Sequence, residues 1–310
     1  MELIRGLHNL RPRHRGCIAT IGNYDGVHLG HQAVLAQLAR KGKELGLPSL
    51  ALIFEPMPRE FFAGPQAPPR IASLREKLED LAAAGAERVL CVRFDAAFAQ
   101  MTPREFIDRI LLHGLGVRYL VVGSDFRFGH RREGDFALLQ SAAAAHGFVV
   151  ESLAPFCIDG ERVSSSRIRA ALAAGDMDQA QRLLGRSCRI SGRVAGGRKL
   201  GRELGVPTAN LPVRERRAIR YGVYAARASG AGATGMAAAV SLGTRPTVAG
   251  EDCLLEVHLL DFDGDVYGQR LDVQLLKFLR PEERFSGLEA LKQQMREDIR
   301  QVRAWLQGQK

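Results

Sequence analysis

At 310 residues, 46% hydrophobic and 25% charged, the chain has the composition of an ordinary globular protein and room for two compact units with separate cores. Its formal charge of +10 suits nucleic acid, an acidic surface or phosphorylated small molecules. Zinc-finger spacing, a basic region running into heptads and an RRM-like aromatic signature are all missing, which argues against nucleic acid. No apolar run nears the roughly 18 residues of a membrane span, and the start Met1-Glu2-Leu3-Ile4-Arg5 lacks a secretory pattern. Cys17, Cys91, Cys157, Cys188 and Cys253 are scattered without metal-ligand spacing. A cytoplasmic chain with reduced thiols and no membrane partner is expected.

Along the first 185 residues short apolar runs alternate with helical patterns, the rhythm of a parallel sheet with crossover helices. Strands are predicted over Cys17–Gly22, Leu50–Phe54, Val89–Phe94, Tyr119–Gly123 and Phe148–Leu153, with helices from about Gly30, Ser73, Thr102, Asp135 and Ser165. Thr102-Pro103-Arg104-Glu105 combines an N-cap hydroxyl, a proline at the first helical position and a glutamate three residues after the cap, which spells a capping box.

From Gly185 helical periodicity gives way to short strands between glycine, proline and aspartate turns, which predicts an antiparallel barrel or sandwich. Tyr221–Ala228 and Met236–Leu242 flank Ser229-Gly230-Ala231-Gly232, and Leu254–Phe262 and Val266–Leu279 flank Asp263-Gly264-Asp265, so two hairpins are expected. A last helix follows, with Ser286 as cap, Glu289 at its third position and Leu288, Leu291, Met295, Ile299, Val302 and Leu306 at helical spacing. The fold class is α/β plus β, with domains over 1–185 and 186–310.

Between the first strand and first helix stands Gly22-Asn23-Tyr24-Asp25-Gly26-Val27-His28-Leu29-Gly30-His31. At the carboxyl end of a parallel strand a glycine-rich turn lets backbone N–H groups approach a polyphosphate, and the helix start adds partial positive charge. That dipole is worth only about 0.3–1 kcal/mol when exposed, so side-chain donors are needed. His28 and His31, three apart, share a helix face and can donate to one phosphate. A glycine turn before a helix is also common punctuation, and Phe54, Phe126 and Phe128 suit a core as well as a ligand platform.

The segment is the H-x-G-H signature of nucleotidylyltransferases and resembles the start of bacterial FAD synthetases. Phe54-Glu55-Pro56, Pro58-Arg59-Glu60-Phe61-Phe62, Val122-Gly123-Ser124-Asp125-Phe126-Arg127-Phe128-Gly129 and Val163-Ser164-Ser165-Ser166-Arg167-Ile168-Arg169 continue the resemblance in the family's order. It implies a Rossmann-like fold that makes FAD from FMN and ATP. Gly22, Asn23, Asp25 and Gly30 then belong to the nucleotide turn and His28 and His31 position the ATP phosphates. Asp125 and Phe54 lie by the flavin, while Ser165, Ser166 and Arg167 close the phosphate site. Met57 and Ser166 depart from the family's usual histidine and threonine; the serine keeps a hydroxyl, whereas the methionine has no donor.

In the β half, Gly201-Arg202-Glu203-Leu204-Gly205-Val206-Pro207-Thr208-Ala209-Asn210 follows a basic turn at Arg198-Lys199. Glycines allow close approach to phosphate, Pro207 stiffens the chain, and Thr208 with Asn210 places a hydroxyl and an amide oxygen beside one Mg²⁺. The segment resembles the Pro-Thr-Ala-Asn motif of riboflavin kinases. Tyr221-Gly222-Val223-Tyr224, Gly243-Thr244-Arg245-Pro246-Thr247 and Leu255-Glu256-Val257-His258-Leu259-Leu260-Asp261-Phe262 extend it. The resemblance implies phosphorylation of riboflavin to FMN, with Glu256 as base and Gly201, Arg202, Gly205, Pro207 and Arg280 touching nucleotide or flavin. Alternation alone points Glu256 to solvent, opposite Leu255 and Val257. The expected partners are ATP, riboflavin and FMN, with Mg²⁺ as cofactor and self-association left open. Rival readings are a chain that makes FMN only and a flavin-binding or nucleic-acid-binding protein that keeps the folds without turnover.

Overall fold

The computed structural model describes residues 1–196, 205–247 and 250–309. Its contacts form two units, 1–68 with 74–164, and 69–73 with 165–310.

In the first unit β1 (Glu2–Arg5), β2 (Cys17–Ile21), β3 (Ser49–Glu55), β4 (Arg88–Arg93), β5 (Val117–Gly123) and β6 (Val149–Leu153) form one parallel sheet in the order β1-β4-β3-β2-β5-β6. All five residues of β2 are buried, as a central strand covered on both faces requires. Alternation divides β3 between two cores. Leu50 and Leu52 pack with Leu90, Phe106, Ile110 and Leu120, while Ala51 and Ile53 pack with Val89, Leu35 and Leu81.

The helices are α1 (Leu29–Leu45), α2 (Pro58–Ala63), α3 (Leu74–Ala83), α4 (Ala96–Ala99), α5 (Pro103–Glu105) and α6 (Phe136–His146). The predicted capping box opens α5, with Thr102 Oγ1 accepting from Glu105 N at 3.2 Å and Glu105 Oε2 from Thr102 N at 2.8 Å. The chain then continues as a π-helix over Phe106–Gly114. A small ribbon, β7 (Cys157–Ile158) and β8 (Glu161–Arg162), follows β6. After β4 the chain returns to lay β5 beside β2, so strand order reverses there. In such sheets that point opens a crevice at the strands' carboxyl ends.

In the second unit α7 (Ser165–Ala174) and α8 (Met177–Leu184) precede β9 (Cys188–Arg193), β10 (Ala209–Val213), β11 (Gly222–Gly230), β12 (Ala233–Thr247), β13 (Gly250–Leu259), β14 (Arg270–Arg280) and α9 (Leu288–Gln307). The strands form an antiparallel sheet in the order β10-β13-β12-β11-β14-β9. Ala195, just past β9, bridges to Asn210 of β10, its N–H donating to the Asn210 carbonyl at 2.8 Å, which nearly closes a barrel. Residues 69–73 add to this unit. Arg70 N donates to Arg216 O at 2.8 Å, Ala218 N to Arg70 O at 2.9 Å and Arg217 Nη2 to Ile71 O at 2.8 Å. The buried face of α8 (Met177, Ala180, Leu183, Leu184) packs with the barrel strands, so by contacts both helices before residue 185 go with the barrel.

Two local expectations are corrected. β11 and β12 pair as a hairpin with a bulge between Ala228 and Gly230, but β13 and β14 do not pair. β12 runs on to Thr247 and pairs with β13, whose other edge takes β10, so both edges of β13 are filled before Asp263 is reached. β14 crosses over to lie between β11 and β9. The cap of α9 is Gly287, in extended backbone and without a side-chain bond, because the helix starts one residue later than a Ser286 cap requires. Only the later part of its apolar stripe is buried: Val302 and Leu306, with Ile299 and Trp305, cover Ala225, Ala237, Ala239 and Leu260. Leu288 stays exposed.

Candidate active sites

The turn from Gly22 to His31 leaves the carboxyl end of β2 at the point where strand order reverses, with Gly123-Ser124-Asp125 leaving the neighbouring β5. It is tightly wound. Tyr24 (φ 49), Gly26 (φ 84) and Val27 (φ 38) have left-handed backbone, which a β-branched residue adopts only under constraint. The constraint is packing: Tyr24 and Val27 are buried, and the Tyr24 hydroxyl bonds Thr20 Oγ1 at 2.7 Å. Asp25 is buried and Asn23 exposed.

His28 is the N-cap of α1, its Nδ1 accepting from His31 N at 3.3 Å. The two imidazoles stack with centroids 3.7 Å apart and planes at 14°. A Cβ at Gly30 would stand 3.2 Å from His28 Cε1 and 3.3 Å from Nδ1, which explains the glycine between the histidines: it leaves the ring room to fold back onto the helix. His31 Nδ1 is buried without a hydrogen-bond partner. Burial, with help from His28 and the buried Lys77, holds the His31 pKa well below 6.5. His31 is therefore a neutral donor near pH 7.

Asp125 is exposed and paired with Arg162 at 2.9 Å. Phe54 joins an aromatic run that no local motif of the sequence assembles. Its ring meets Phe94 at 5.8 Å and Phe98 at 5.5 Å, Phe94 meets Phe61 at 5.4 Å and Phe62 at 5.7 Å, and Phe98 leads through Phe106 to Phe128 and Phe126. The run is core at Phe106 and Phe128 and open to solvent at Phe62. Met57 is buried, and its N–H donates to Glu60 Oε2 at 2.8 Å. Ser165, Ser166 and Arg167 form the first turn of α7, in the second unit.

In the barrel, Gly201 and Arg202 lie outside the described residues. Gly205 has left-handed backbone (φ 77), and the Pro207 carbonyl accepts from His258 Nδ1 at 2.8 Å, which ties the loop to β13. Thr208 is half-buried. Register sets Asn210 directly across from Glu256, and Glu256 across from Ser241 of β12. These three share the face opposite to Leu211, Leu255 and Leu242, which fill the barrel interior. Glu256 thus stands on the outward face that alternation predicted, half-buried and not exposed. Asn210 is 7% exposed and its Oδ1 is buried with no hydrogen-bond partner among the described residues. Ser241 joins the row through register, which no single strand reveals. Arg280 is paired with buried Asp298: Nε and Nη2 bond both carboxylate oxygens, at 2.8 and 2.7 Å, and that charge raises its pKa.

A parallel sheet with a glycine-rich turn and two stacked histidines at its strand-order reversal, followed by an antiparallel barrel carrying a hydroxyl, amide and carboxylate row, is the architecture of a two-module nucleotide-using enzyme. The FAD synthetase family model matches residues 10–167 and the riboflavin kinase model residues 184–306. The bifunctional riboflavin kinase/FMN adenylyltransferase of Pseudomonas fluorescens is 52% identical over 98% of this chain and 97% of its own. Those of Escherichia coli K12 and Haemophilus influenzae are 48% and 44% identical, covering 96% of both chains and 98% and 99% respectively. The chain belongs to the bifunctional riboflavin kinase/FMN adenylyltransferase family. Its fold is also that of the crystal structure of a macrolide-efflux protein from Streptococcus pneumoniae, at TM-score 0.84 and 26% identity over 98% of this chain and 100% of that one. That likeness is one of fold. Among the described residues of this chain no helix is long and apolar enough to cross a membrane.

Proposed function

We propose that the barrel module phosphorylates riboflavin with ATP and that the sheet module adenylylates the resulting FMN with a second ATP, releasing pyrophosphate, with the functional boundary near residue 185. The observation that carries the kinase half is the Asn210, Glu256, Ser241 row, where a buried amide oxygen without a partner faces a carboxylate across one register step. Glu256 takes the proton of the 5'-hydroxyl as its oxygen bonds the terminal phosphorus and the bond to ADP breaks. Thr208 and Asn210 offer hard neutral oxygens. With phosphate oxygens and waters completing the shell they fit Mg²⁺, which would neutralise charge on ATP.

In the sheet module an FMN phosphate oxygen bonds the α-phosphorus of ATP and the bond to pyrophosphate breaks. This is mostly positioning and electrostatics. The turn Gly22–His31 holds the phosphates, and His28 and the neutral His31 donate to them; Ser165, Ser166 and Arg167 carry a family motif for phosphate by resemblance alone. Asp125 and Phe54, with the open end of the aromatic run, serve the flavin. A cytoplasmic setting belongs to the same reading.

A chromatographic time course with riboflavin, ATP and Mg²⁺ tests it. FMN should form first and then convert to FAD, and Glu256→Gln should lower FMN formation about 10²- to 10⁴-fold while supplied FMN is still adenylylated. Equal loss of both activities in a folded Glu256→Gln protein would overturn the division of labour.

A further inference from the structure

Asn210, Glu256 and Ser241 are each held by a paired strand, but Thr208 is not. It lies just before β10, whose register with β13 begins at Ala209. Pro207 beside it has no N–H and can donate nothing to a neighbouring strand. The tie to β13 at this point is made by a side chain: His258 Nδ1 donates to the Pro207 carbonyl at 2.8 Å. A carbonyl only accepts, so Nδ1 carries the hydrogen whether the ring is neutral or charged.

The donor has a fixed seat. His258 stands two residues after Glu256 on the same outward face, between buried Val257 and Leu259, which point inward. Its register partner on β12 is Ala239, which packs against Val302 and Leu306 of α9. His258 therefore sits where the helix-covered part of the outward face meets the row of Glu256. Extended by one step, the β10 register sets Thr208 across from His258. The imidazole thus reaches from a paired strand to the peptide that joins Pro207 to Thr208.

Mg²⁺ demands near-octahedral geometry, so a neutral hydroxyl contributes to its shell only if it is held in place. Ligands carried by strands are placed more precisely than ligands carried by loops, and a bond from a strand to a loop lends the loop part of that precision. We propose that His258 is a positioning residue for the kinase: by holding the Pro207 carbonyl it sets Thr208 in line with Asn210 for Mg²⁺ and ATP, without touching either. This rests on the kinase reading above.

Full-length His258→Asn, His258→Gln, His258→Leu and Glu256→Gln proteins would be compared by kinase kinetics over a Mg²⁺ titration and by amide hydrogen exchange of the segment 205–210, with adenylylation of supplied FMN checking that each is folded. Asparagine carries an N–H on the atom after Cγ, where Nδ1 stands, and can remake the bond; glutamine carries it one atom further out and leucine has none. His258→Leu and His258→Gln should raise both the Mg²⁺ needed for half-maximal rate and the KM for ATP about 10- to 100-fold, with the KM for riboflavin changed less than about 3-fold. Exchange across 205–210 should quicken about tenfold or more in both. His258→Asn should stay within about 3-fold of the parent protein in every readout. If the leucine protein fails to fold, the contrast between asparagine and glutamine carries the test. Unchanged Mg²⁺ and ATP dependence in His258→Gln beside a crippled Glu256→Gln protein would overturn the role of His258 alone, even if exchange quickens. An asparagine protein as impaired as the glutamine one would overturn it too. Full kinase activity in Glu256→Gln would overturn the kinase reading itself.

Discussion

The stacked pair His28 and His31 shows how much one missing methyl group decides. Gly30→Ala should leave the fold stable, since alanine favours a helix, yet push the His28 ring aside by a few tenths of an ångström. Adenylylation should fall about tenfold or more with kinase turnover unchanged, measured on supplied FMN and riboflavin separately. His31 has a second consequence. Its folded pKa lies below the 6.5 of a free imidazole, so between the two values the unfolded chain binds more protons and stability rises with pH. The first unit should therefore lose stability as pH falls through about 6.5, until the folded ring itself takes a proton. A His31→Gln protein should show a shallower fall in urea melts at about pH 7.5 and 5.5, and an equal slope would contradict this assignment. Both histidines and the glycine were legible in the sequence because one short turn holds them. The orphaned Asn210 oxygen and the Ser241 neighbour were not, since each depends on which strands become partners.

Elements were legible where the signal is local. The capping box at Thr102, the aspartate cap of α6 (Leu138 N donating to Asp135 Oδ1 at 3.0 Å) and strands β2 to β6 of the parallel sheet lie close to where periodicity and caps put them. The β13 to β14 connection was misread because a short Asp-Gly-Asp turn specifies a hairpin only when both flanking strands have free edges. The pairing of Arg280 with Asp298 was not legible, since Asp298 lies in α9 beyond any local pattern. Breaking a buried ion pair from one side leaves an uncompensated charge, so Asp298→Ala should destabilise the barrel by about 3–5 kcal/mol in chemical melts. Asp298→Asn should cost less, and no loss in either would argue that the pair is solvated.

For the whole molecule the boundary seen by sequence rhythm and the boundary seen by packing differ by about twenty residues, because composition changes where strands begin while cores close where apolar faces meet. A fragment 165–310 should outlast a fragment 186–310 by at least about 3 kcal/mol, since the latter loses the burial of Leu183 and Leu184 in α8. Urea midpoints of the two fragments would check it, and equal midpoints would show that the helices are dispensable. The short segment 69–73 adds a matter of timing. Its backbone partners Arg216 and Ala218 are synthesised about 150 residues after it, and at roughly 5–20 residues per second the segment is made some 7–30 s before they exist. The barrel is then finished with a piece the chain has already carried through the synthesis of the second half of the parallel sheet, β4 to β6.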